Sequence, residues 1–351
     1  METKQDLDII CQDYTLNLDF NSMTRFEHLQ FFQSRNNIDL EFGFRLESNV
    51  IGPEVVIYGA IHGNEPVGIE AIVKFISLID NHKIQLIKGQ ITFILGNPAA
   101  YLVNKRLIDS NLNRAFEPME LDYPEIFDTK KPNKNQFAQT QNGNYEKNRA
   151  KEIQKYLSSL PQLDYCLDLH SVSVGDLKIA ISRSEPEQVE FMNSVSNLSK
   201  QLTYDSNSMT GTTIDEGWRR GAKNCVIECG NHNDPEAFKF GLEHILRLLS
   251  QAKMIPQLEL RTNPSEIIRY QAITKIKVGE QFQWRLPVIS SDAFVPKNCI
   301  ISTLVDNQEL SLDKKIKKQI ASDDCYLLMP DRSPKPTDND AGFLCHKSII
   351  I

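Results

Sequence analysis

Two histidines and two carboxylates in this sequence stand at the ends of apolar, strand-like runs. His62 and Glu65 are three residues apart after the run EVVIYGA, His170 ends LDYCLDLH, and Glu228 lies in CVIECG. Polar groups at the carboxyl ends of strands meet at one edge of an α/β sheet. Two histidines and one carboxylate with an open fourth position are typical of catalytic zinc, and a further carboxylate can serve as general base.

Each of these motifs alone has an ordinary structural alternative. A His-x-x-Glu spacing occurs by chance in many chains, and a lone buried histidine is usually a core residue. Glu228 is harder to explain this way, because a carboxylate inside an apolar strand is costly to bury unless it is paired or functional. Asp168 shares a strand face with His170. It either orients that imidazole as a hydrogen-bond acceptor or is a hydrogen-bonded core acid.

The segment after the apolar run at 90–97 carries three hydrogen-bond donors. Arg106, Asn113 and Arg114 lie in NKRLIDSNLNRAF. Such donors suit a substrate carboxylate or an oxyanion. The alternative is a helix cap followed by a turn.

Apolar runs alternate with segments of helical spacing along most of the chain, which indicates an α/β fold with a mostly parallel sheet flanked by helices. Asp234 and Pro235 suit the N-cap and first position of the last helix. The predicted strands are 54–60, 90–97, 163–171, 177–183 and 225–230, and the predicted helices are 65–79, 144–160 and 234–252.

The pattern changes after Pro256, where short strand-like runs are separated by turn residues. We therefore predict a catalytic α/β domain at 1–255 and a small β-rich C-terminal domain at 256–351. The polar stretch at 117–143 has no helical or strand period. It predicts a long loop, and loops of that length are often functional or mobile.

Composition and charge exclude several classes of protein. The net charge is −7 and the basic residues are dispersed, which argues against nucleic-acid and membrane-surface partners. No apolar run is long enough for a transmembrane helix, and the N-terminus lacks the apolar core of a secretory signal. The seven cysteines are scattered and odd in number, which is typical of reduced thiols. We expect a cytoplasmic protein.

Taken together, the order of the motifs resembles the succinylglutamate desuccinylase/aspartoacylase family of the zinc carboxypeptidase-like superfamily. The resembling segments are HGNE, NKRLIDSNLNRAF, LDLHS and IECG, between about residues 54 and 235. Arg106 lies seven residues before Asn113, which Arg114 follows, as in the family pattern. The resemblance implies a zinc-carboxypeptidase-like sheet and a β-rich C-terminal domain that covers the active site.

The resemblance also implies one Zn²⁺ per chain and a small-molecule substrate, an N-acylated amino acid such as an N-acyl-aspartate or N-acyl-glutamate, whose amide is hydrolysed by metal-activated water. The implied roles are zinc ligands for His62, Glu65 and His170, general base and then proton donor for Glu228, polarisation of the scissile carbonyl for Arg106, and binding of the substrate carboxylate for Asn113 and Arg114.

Two features depart from the family pattern. Family members can place a tyrosine from the C-terminal domain over the site, but the terminal AGFLCHKSII has none. Tyr270 or Tyr326 could serve instead, or the role is absent. The long polar insertion beside the Asn-Arg pair leaves the acyl group open. Arg219 and Arg220 either bind a second substrate carboxylate or are solvated side chains.

Two other functions use the same residues. A zinc metallocarboxypeptidase would act on a peptide C-terminus with the same metal set, but the second domain favours a deacylase with a closed site. A non-catalytic zinc- or ligand-binding pseudoenzyme would need neither Glu228 nor Arg106. A homodimer is compatible with the sequence, although no feature predicts one.

Overall fold

The structure is a computed structural model of the chain. The predicted loop at 117–143 lies outside the described residues except for Glu117. The described residues are 5–6, 23–117, 145–173, 175–205, 210–259, 264–278, 280–305, 316–331, 334 and 340–350.

The described residues contain helices α1 (Arg25–Arg35), α2 (Val67–Asp80), α3 (Pro98–Leu102), α4 (Tyr145–Ser159), α5 (Pro186–Val195), α6 (Thr213–Arg219) and α7 (Ala237–Gln251), and a 3₁₀ turn at Leu112–Arg114. The strands up to the end of α7 are β1 (Gln5–Asp6), β2 (Gly43–Glu47), β3 (Glu54–Gly59), β4 (Gln90–Leu95), β5 (Tyr165–Val172), β6 (Lys178–Arg183), β7 (Lys200–Tyr204) and β8 (Lys223–Asn231). The later strands are β9 (Leu258–Glu259), β10 (Ile267–Lys277), β11 (Glu280–Trp284), β12 (Ala293–Val295), β13 (Ile300–Val305), β14 (Ile316–Ile320), β15 (Cys325–Leu328) and β16 (Asp340–Ile350).

The chain forms two compact units that interleave along the sequence. The first contains Met1–Leu177, Thr210–Asn224 and Cys229–Leu260, and the second contains Lys178–Met209, Cys225–Glu228 and Arg261–Ile351. Strand β8 therefore contributes its ends to the first unit and its middle to the second. The domain boundary near residue 255 stays a prediction.

In the first unit the strand order is β5-β3-β4-β2. Strand β3 pairs in parallel with β4 and β5, and β2 pairs with β4 in antiparallel fashion. Every residue of β3 is buried, as expected for a strand covered on both faces. Helix α2 follows β3 and packs against α7 through a broad apolar face. This framework fixes the carboxyl ends of β3 and β5.

The second unit has the strand order β12-β15-β16-β10-β7-β6, with the middle of β8 next to β6. Strands β6, β7 and β10 are parallel, and β10, β16, β15 and β12 are antiparallel. A separate antiparallel sheet contains β11, β13 and β14. The predicted fold class is confirmed: helices flank mostly parallel strands, and a small antiparallel sheet is present.

Some local predictions were wrong or incomplete. The last long helix begins at Ala237, not at Asp234, because the Asp234 carboxylate accepts from the backbone N–H of Glu236 in a turn before the helix. The elements that were not predicted include helices α1, α3, α5 and α6 and strand β7. The short helix α6 has little apolar periodicity to signal it, although Thr212 and Asp215 form a capping box at its start.

None of the helices in the described part of the chain combines the length and the apolar character needed to cross a membrane.

Candidate metal centre

The turn His62–Glu65 joins the buried strand β3 to helix α2. The backbone N–H of Glu65 donates to the carbonyl of His62 at 3.1 Å and closes the turn. A Cβ at Gly63 would lie 2.2 Å from the carbonyl carbon of Ala100 in α3, so only glycine permits this close approach. The backbone of the turn is therefore held tightly between a strand and two helices.

The structure brings the three predicted metal ligands together. His62 Nδ1 lies 2.9 Å from Glu65 Oε1, and His170 Nδ1, at the end of β5, lies 2.9 Å from Glu65 Oε2. One ligand atom of each residue lies within 4.8 Å of the others, and all three side chains are buried. The backbone N–H of Ser171 also donates to Glu65 Oε2, at 3.2 Å. We call His62, Glu65 and His170 the metal cluster.

Each imidazole of the metal cluster is anchored through its other nitrogen. His170 Nε2 lies 2.9 Å from Asp168 Oδ2, and His62 Nε2 lies 3.1 Å from the side-chain oxygen of Asn111. Such partners fix the orientation and tautomer of a histidine that binds metal. The two Nδ1 atoms consequently face the same carboxylate. Two imidazoles and one carboxylate in a buried site fit zinc, whereas magnesium and calcium prefer oxygen ligands.

The charges of the metal cluster depend on its partners. Burial lowers the pKa of His62 to about 4, and the positive charge of Arg106 acts in the same direction. Burial also disfavours a charged His170, but Asp168 and Glu65 outweigh it and raise the His170 pKa well above its ordinary value. For Glu65 burial is outweighed by the two histidines, which hold its pKa well below the usual range. Metal binding at Nδ1 of His170 requires that this nitrogen carry no proton.

Arg106 lies at the rim of the metal cluster. Its Nη1 donates to Glu65 Oε1 at 2.9 Å, while 42% of its side chain is exposed. Its carbonyl accepts from the backbone N–H of Gly63 at 3.0 Å. The positively charged guanidinium of Arg106 thus lies between the buried Glu65 carboxylate and solvent. This position suits stabilisation of an oxyanion beside the cluster.

The loop that carries Arg106, Asn111, Asn113 and Arg114, residues 106–114, is held by one buried acid. Glu146, in the first turn of α4, is fully buried. Its carboxylate accepts from the backbone N–H groups of Ile108, Asp109 and Ser110 and from the side-chain amide of Asn97. We call residues 106–114 the donor loop.

Helix α6 joins the donor loop to β5. The backbone N–H of Thr213 donates to the side-chain oxygen of Asn113 at 3.0 Å, and its hydroxyl donates to Asp168 Oδ2 at 2.5 Å. The side-chain oxygen of Asn113 is therefore used as an acceptor within the protein, and its NH₂ group is the part that can donate to a ligand. Arg114 donates through Nη1 to the carbonyl of Asn113 at 2.6 Å.

The remaining predicted residues are placed as follows. Glu228 lies in β8, is 7% exposed and belongs to the second unit. Arg219 donates to Glu216 and to the carbonyl of Phe116, and Arg220 donates to Glu216 and to the carbonyl of Gln154. Their roles, and that of the buried Tyr270 in β10 or of Tyr326 in β15, stay predictions.

Sequence reasoning missed Asn111, Glu146 and Thr213. Asn111 stands two residues before Asn113 in the motif DSNLNR, where a side chain that accepts from the following N–H is common in turns. Glu146 could have been noticed as an acid in the first turn of a predicted helix. No local signal marks Thr213, because its contacts join segments far apart in the chain.

The family model of the succinylglutamate desuccinylase/aspartoacylase catalytic domain matches residues 51–252. A probable aspartoacylase from Nostoc sp. is 31% identical over 135 residues, which cover 38% of this chain and 40% of that protein. A succinylglutamate desuccinylase from Photorhabdus laumondii is 23% identical over 254 residues, which cover 66% of this chain and 70% of that protein.

Solved structures show the same fold. The succinylglutamate desuccinylase from Vibrio cholerae has a TM-score of 0.61 at 15% identity and covers 92% of this chain and 94% of its own. The ectoine utilization protein EutE (DoeB) from Ruegeria pomeroyi has a TM-score of 0.56 at 15% identity, with coverages of 86% and 87%. Because the family model matches more than half of the sequence, the chain belongs to the succinylglutamate desuccinylase/aspartoacylase family.

Proposed function

We propose that this protein is a zinc-dependent hydrolase that removes the acyl group from an N-acylated amino acid. The observation that carries the proposal is the buried metal cluster, in which both Nδ1 atoms face one carboxylate and both Nε2 atoms are anchored. Family membership and the names of the relatives from Nostoc sp. and Photorhabdus laumondii support a deacylase.

His62, Glu65 and His170 would hold the zinc ion. When bound, zinc supplies Lewis-acid activation of water and of the scissile carbonyl at neutral pH. The protein's own contribution to this centre is orientation, since Asp168 and Asn111 hold the two imidazoles in place before any ion arrives.

Three hydrogen-bond donors would bind the substrate carboxylate and stabilise the developing oxyanion. The Arg106 guanidinium, at the exposed rim, would donate to the carbonyl oxygen as negative charge develops on it. Asn113 and Arg114 would bind the carboxylate of the amino-acid part. Because the side-chain oxygen of Asn113 accepts from the Thr213 N–H, its NH₂ group would serve as the donor to the substrate.

A proton must also move from the attacking water to the leaving amine. We assign this step to Glu228, which would accept the proton as general base and then deliver it to the amine nitrogen. The assignment is supported by the resemblance of the motif IECG, in which Glu228 lies on β8, to the family pattern.

The test is hydrolysis of a panel by the zinc-loaded protein. The panel contains N-acetyl, N-succinyl and longer N-acyl derivatives of aspartate and glutamate, beside short peptides. We expect release of a free amino acid from one acylated amino acid. We further expect Glu228→Gln to retain zinc and to lose activity by a factor of about 100 or more.

Other outcomes would refute the proposal. Release of amino acids only from peptide C-termini would make the protein a carboxypeptidase. Zinc binding without turnover of any panel member would favour a binding protein. Near-normal activity of Glu228→Gln would remove Glu228 from the mechanism without affecting the metal assignment.

A further inference from the structure

Arg25, the first residue of α1, places its guanidinium on the backbone of the turn His62–Glu65. Its Nη1 donates to the carbonyl of Gly63 at 2.6 Å, and its Nη2 lies 3.4 Å from the carbonyl of Asn64. Gly63 and Asn64 are the two residues between the candidate ligands His62 and Glu65. One charged group therefore contacts two of the three peptide units that connect the candidate ligands His62 and Glu65.

The same guanidinium also binds the helix on which the turn rests. Nη1 donates to the carbonyl of Tyr101 at 3.2 Å, and Cζ lies 4.5 Å above the centre of the Tyr101 ring. Tyr101 belongs to α3, whose backbone approaches Gly63 so closely that no Cβ fits between them. Arg25 thus contacts both α3 and the turn His62–Glu65, which we call the metal turn, from its position in α1.

The position of Arg25 is itself fixed. Thr24 caps α1, and its side chain and backbone exchange hydrogen bonds with Glu27 in a capping box. The guanidinium is partly buried, and this burial lowers the pKa of Arg25. Three carbonyl oxygens and one aromatic ring compensate for the lost hydration, because hydrogen bonds from a charged donor are stronger than neutral ones. A flexible surface arginine would not give this geometry.

We propose that Arg25 is a positioning residue for the metal centre: it locks the turn His62–Glu65 in the conformation that holds the ion. The inference rests on the metal assignment in the proposed function. It goes beyond that assignment because Arg25 lies outside residues 51–252, the part of the chain that the family model matches. The N-terminal helix thereby becomes part of the metal site without touching the ion.

Arg35 provides a matched control on the same helix. Its guanidinium lies 4.7 Å from the centre of the Phe31 ring and pairs with Asp80, which is the last residue of α2 and not a residue of the turn. The two arginines share a helix, a ring contact and a polar partner. They differ in whether the partner belongs to the metal turn.

The experiment measures zinc affinity of the metal-free protein by competition with a chromophoric chelator. The variants are Arg25→Met, Arg25→Lys and Arg35→Met, each checked for wild-type circular dichroism at the working temperature. We expect Arg25→Met to bind zinc about 10- to 100-fold more weakly, the range seen when an outer partner of a ligand is removed. Arg25→Lys should fall between, since an ammonium cannot span three carbonyls. Arg35→Met should match wild type.

Each outcome decides the matter. If Arg25→Met does not fold, Arg25→Lys carries the test with the same expected direction. Wild-type affinity in the folded Arg25 variants would overturn the proposal, and so would an equal loss in Arg35→Met, which would indicate general destabilisation. Wild-type protein that binds no zinc would refute the proposed function as well, so that the two failures are distinguishable.

Discussion

The metal cluster and the donor loop are held in place by different means. His170 lies within strand β5. His62 and Glu65 lie in the turn after strand β3, which is closed by the hydrogen bond from the Glu65 N–H to the His62 carbonyl and contacted by Arg25. The donor loop, residues 106–114, contains no strand and only a short 3₁₀ turn. Its backbone is held instead by the buried carboxylate of Glu146.

This difference indicates that the metal ligands and the substrate donors rest mainly on different structural supports, and Asn111 is a contact that the two regions share. Strand ends are rigid, because each is part of a sheet that resists displacement. A loop held by one carboxylate depends on that carboxylate, because three backbone N–H groups of the loop converge on the fully buried Glu146 side chain. Perturbation of the sheet end should therefore affect the ion, and perturbation of Glu146 should affect the substrate.

The largest effect is expected for His170→Ala. The variant removes a ligand atom from the metal cluster, so zinc affinity should fall by more than about 100-fold, beyond the loss caused by removing an outer partner. Zinc content after dialysis, measured by atomic emission, checks this. His346→Ala, which changes an exposed histidine of the second unit, is the control. Full zinc content in His170→Ala would remove His170 from the ligand set.

Glu146→Gln tests the support of the donor loop. A glutamine has one side-chain oxygen where glutamate has two, and both carboxylate oxygens accept from the loop. At least one N–H of Ile108, Asp109 or Ser110 therefore loses its acceptor. We expect kcat/KM to fall about 10- to 100-fold through misplacement of the donors, with zinc content unchanged. Glu152→Gln, an exposed acid of the same helix that pairs with Arg149, should leave both unchanged. Loss of zinc from Glu146→Gln would show that the two supports are not separate.

The same difference explains which parts could be predicted from sequence. His62, Glu65 and His170 follow apolar runs, and the geometry of parallel strands places such residues at one edge. The long strands and the helix after His62 follow from periodicity. Glu146 reaches the donor loop from a separate helix, and Thr213 connects Asn113 with Asp168 across long sequence separations. Contacts of that kind arise from tertiary packing and leave no periodic pattern in the sequence.

A smaller effect is expected when the pH is lowered, which should decrease the stability of α1, the helix that contacts the metal turn through Arg25. His28 of α1 is buried with Nδ1 2.8 Å from the hydroxyl of Tyr101, and burial lowers its pKa from 6.5 to about 4. A histidine with a lowered pKa binds a proton better in the unfolded chain. The free energy of unfolding therefore decreases as pH falls below 6.5, and the decrease ends below about pH 4.

His28→Gln separates this contribution from those of other titrating groups. Between about pH 7 and about pH 5, wild type should lose about 2 kcal/mol more stability than the variant. Urea unfolding at several pH values measures the difference. Identical pH dependence of wild type and His28→Gln would contradict a lowered pKa of His28 and would place the acid sensitivity elsewhere.

The smallest expected effect is on zinc affinity and concerns the side-chain oxygen of Asn111, which contacts both the donor loop and the metal cluster. The side-chain oxygen of Asn111 accepts from the backbone N–H of Asn113 at 2.9 Å and lies 3.1 Å from His62 Nε2. Asn111→Ala removes the partner of a ligand imidazole, so zinc affinity should fall about tenfold. Asn113→Ala should keep zinc and raise KM. If Asn111→Ala binds zinc as wild type does, the Asn111 side chain does not orient His62. If Asn113→Ala loses zinc equally, the donor loop supports the ion as a whole, and the separation between metal and substrate supports fails.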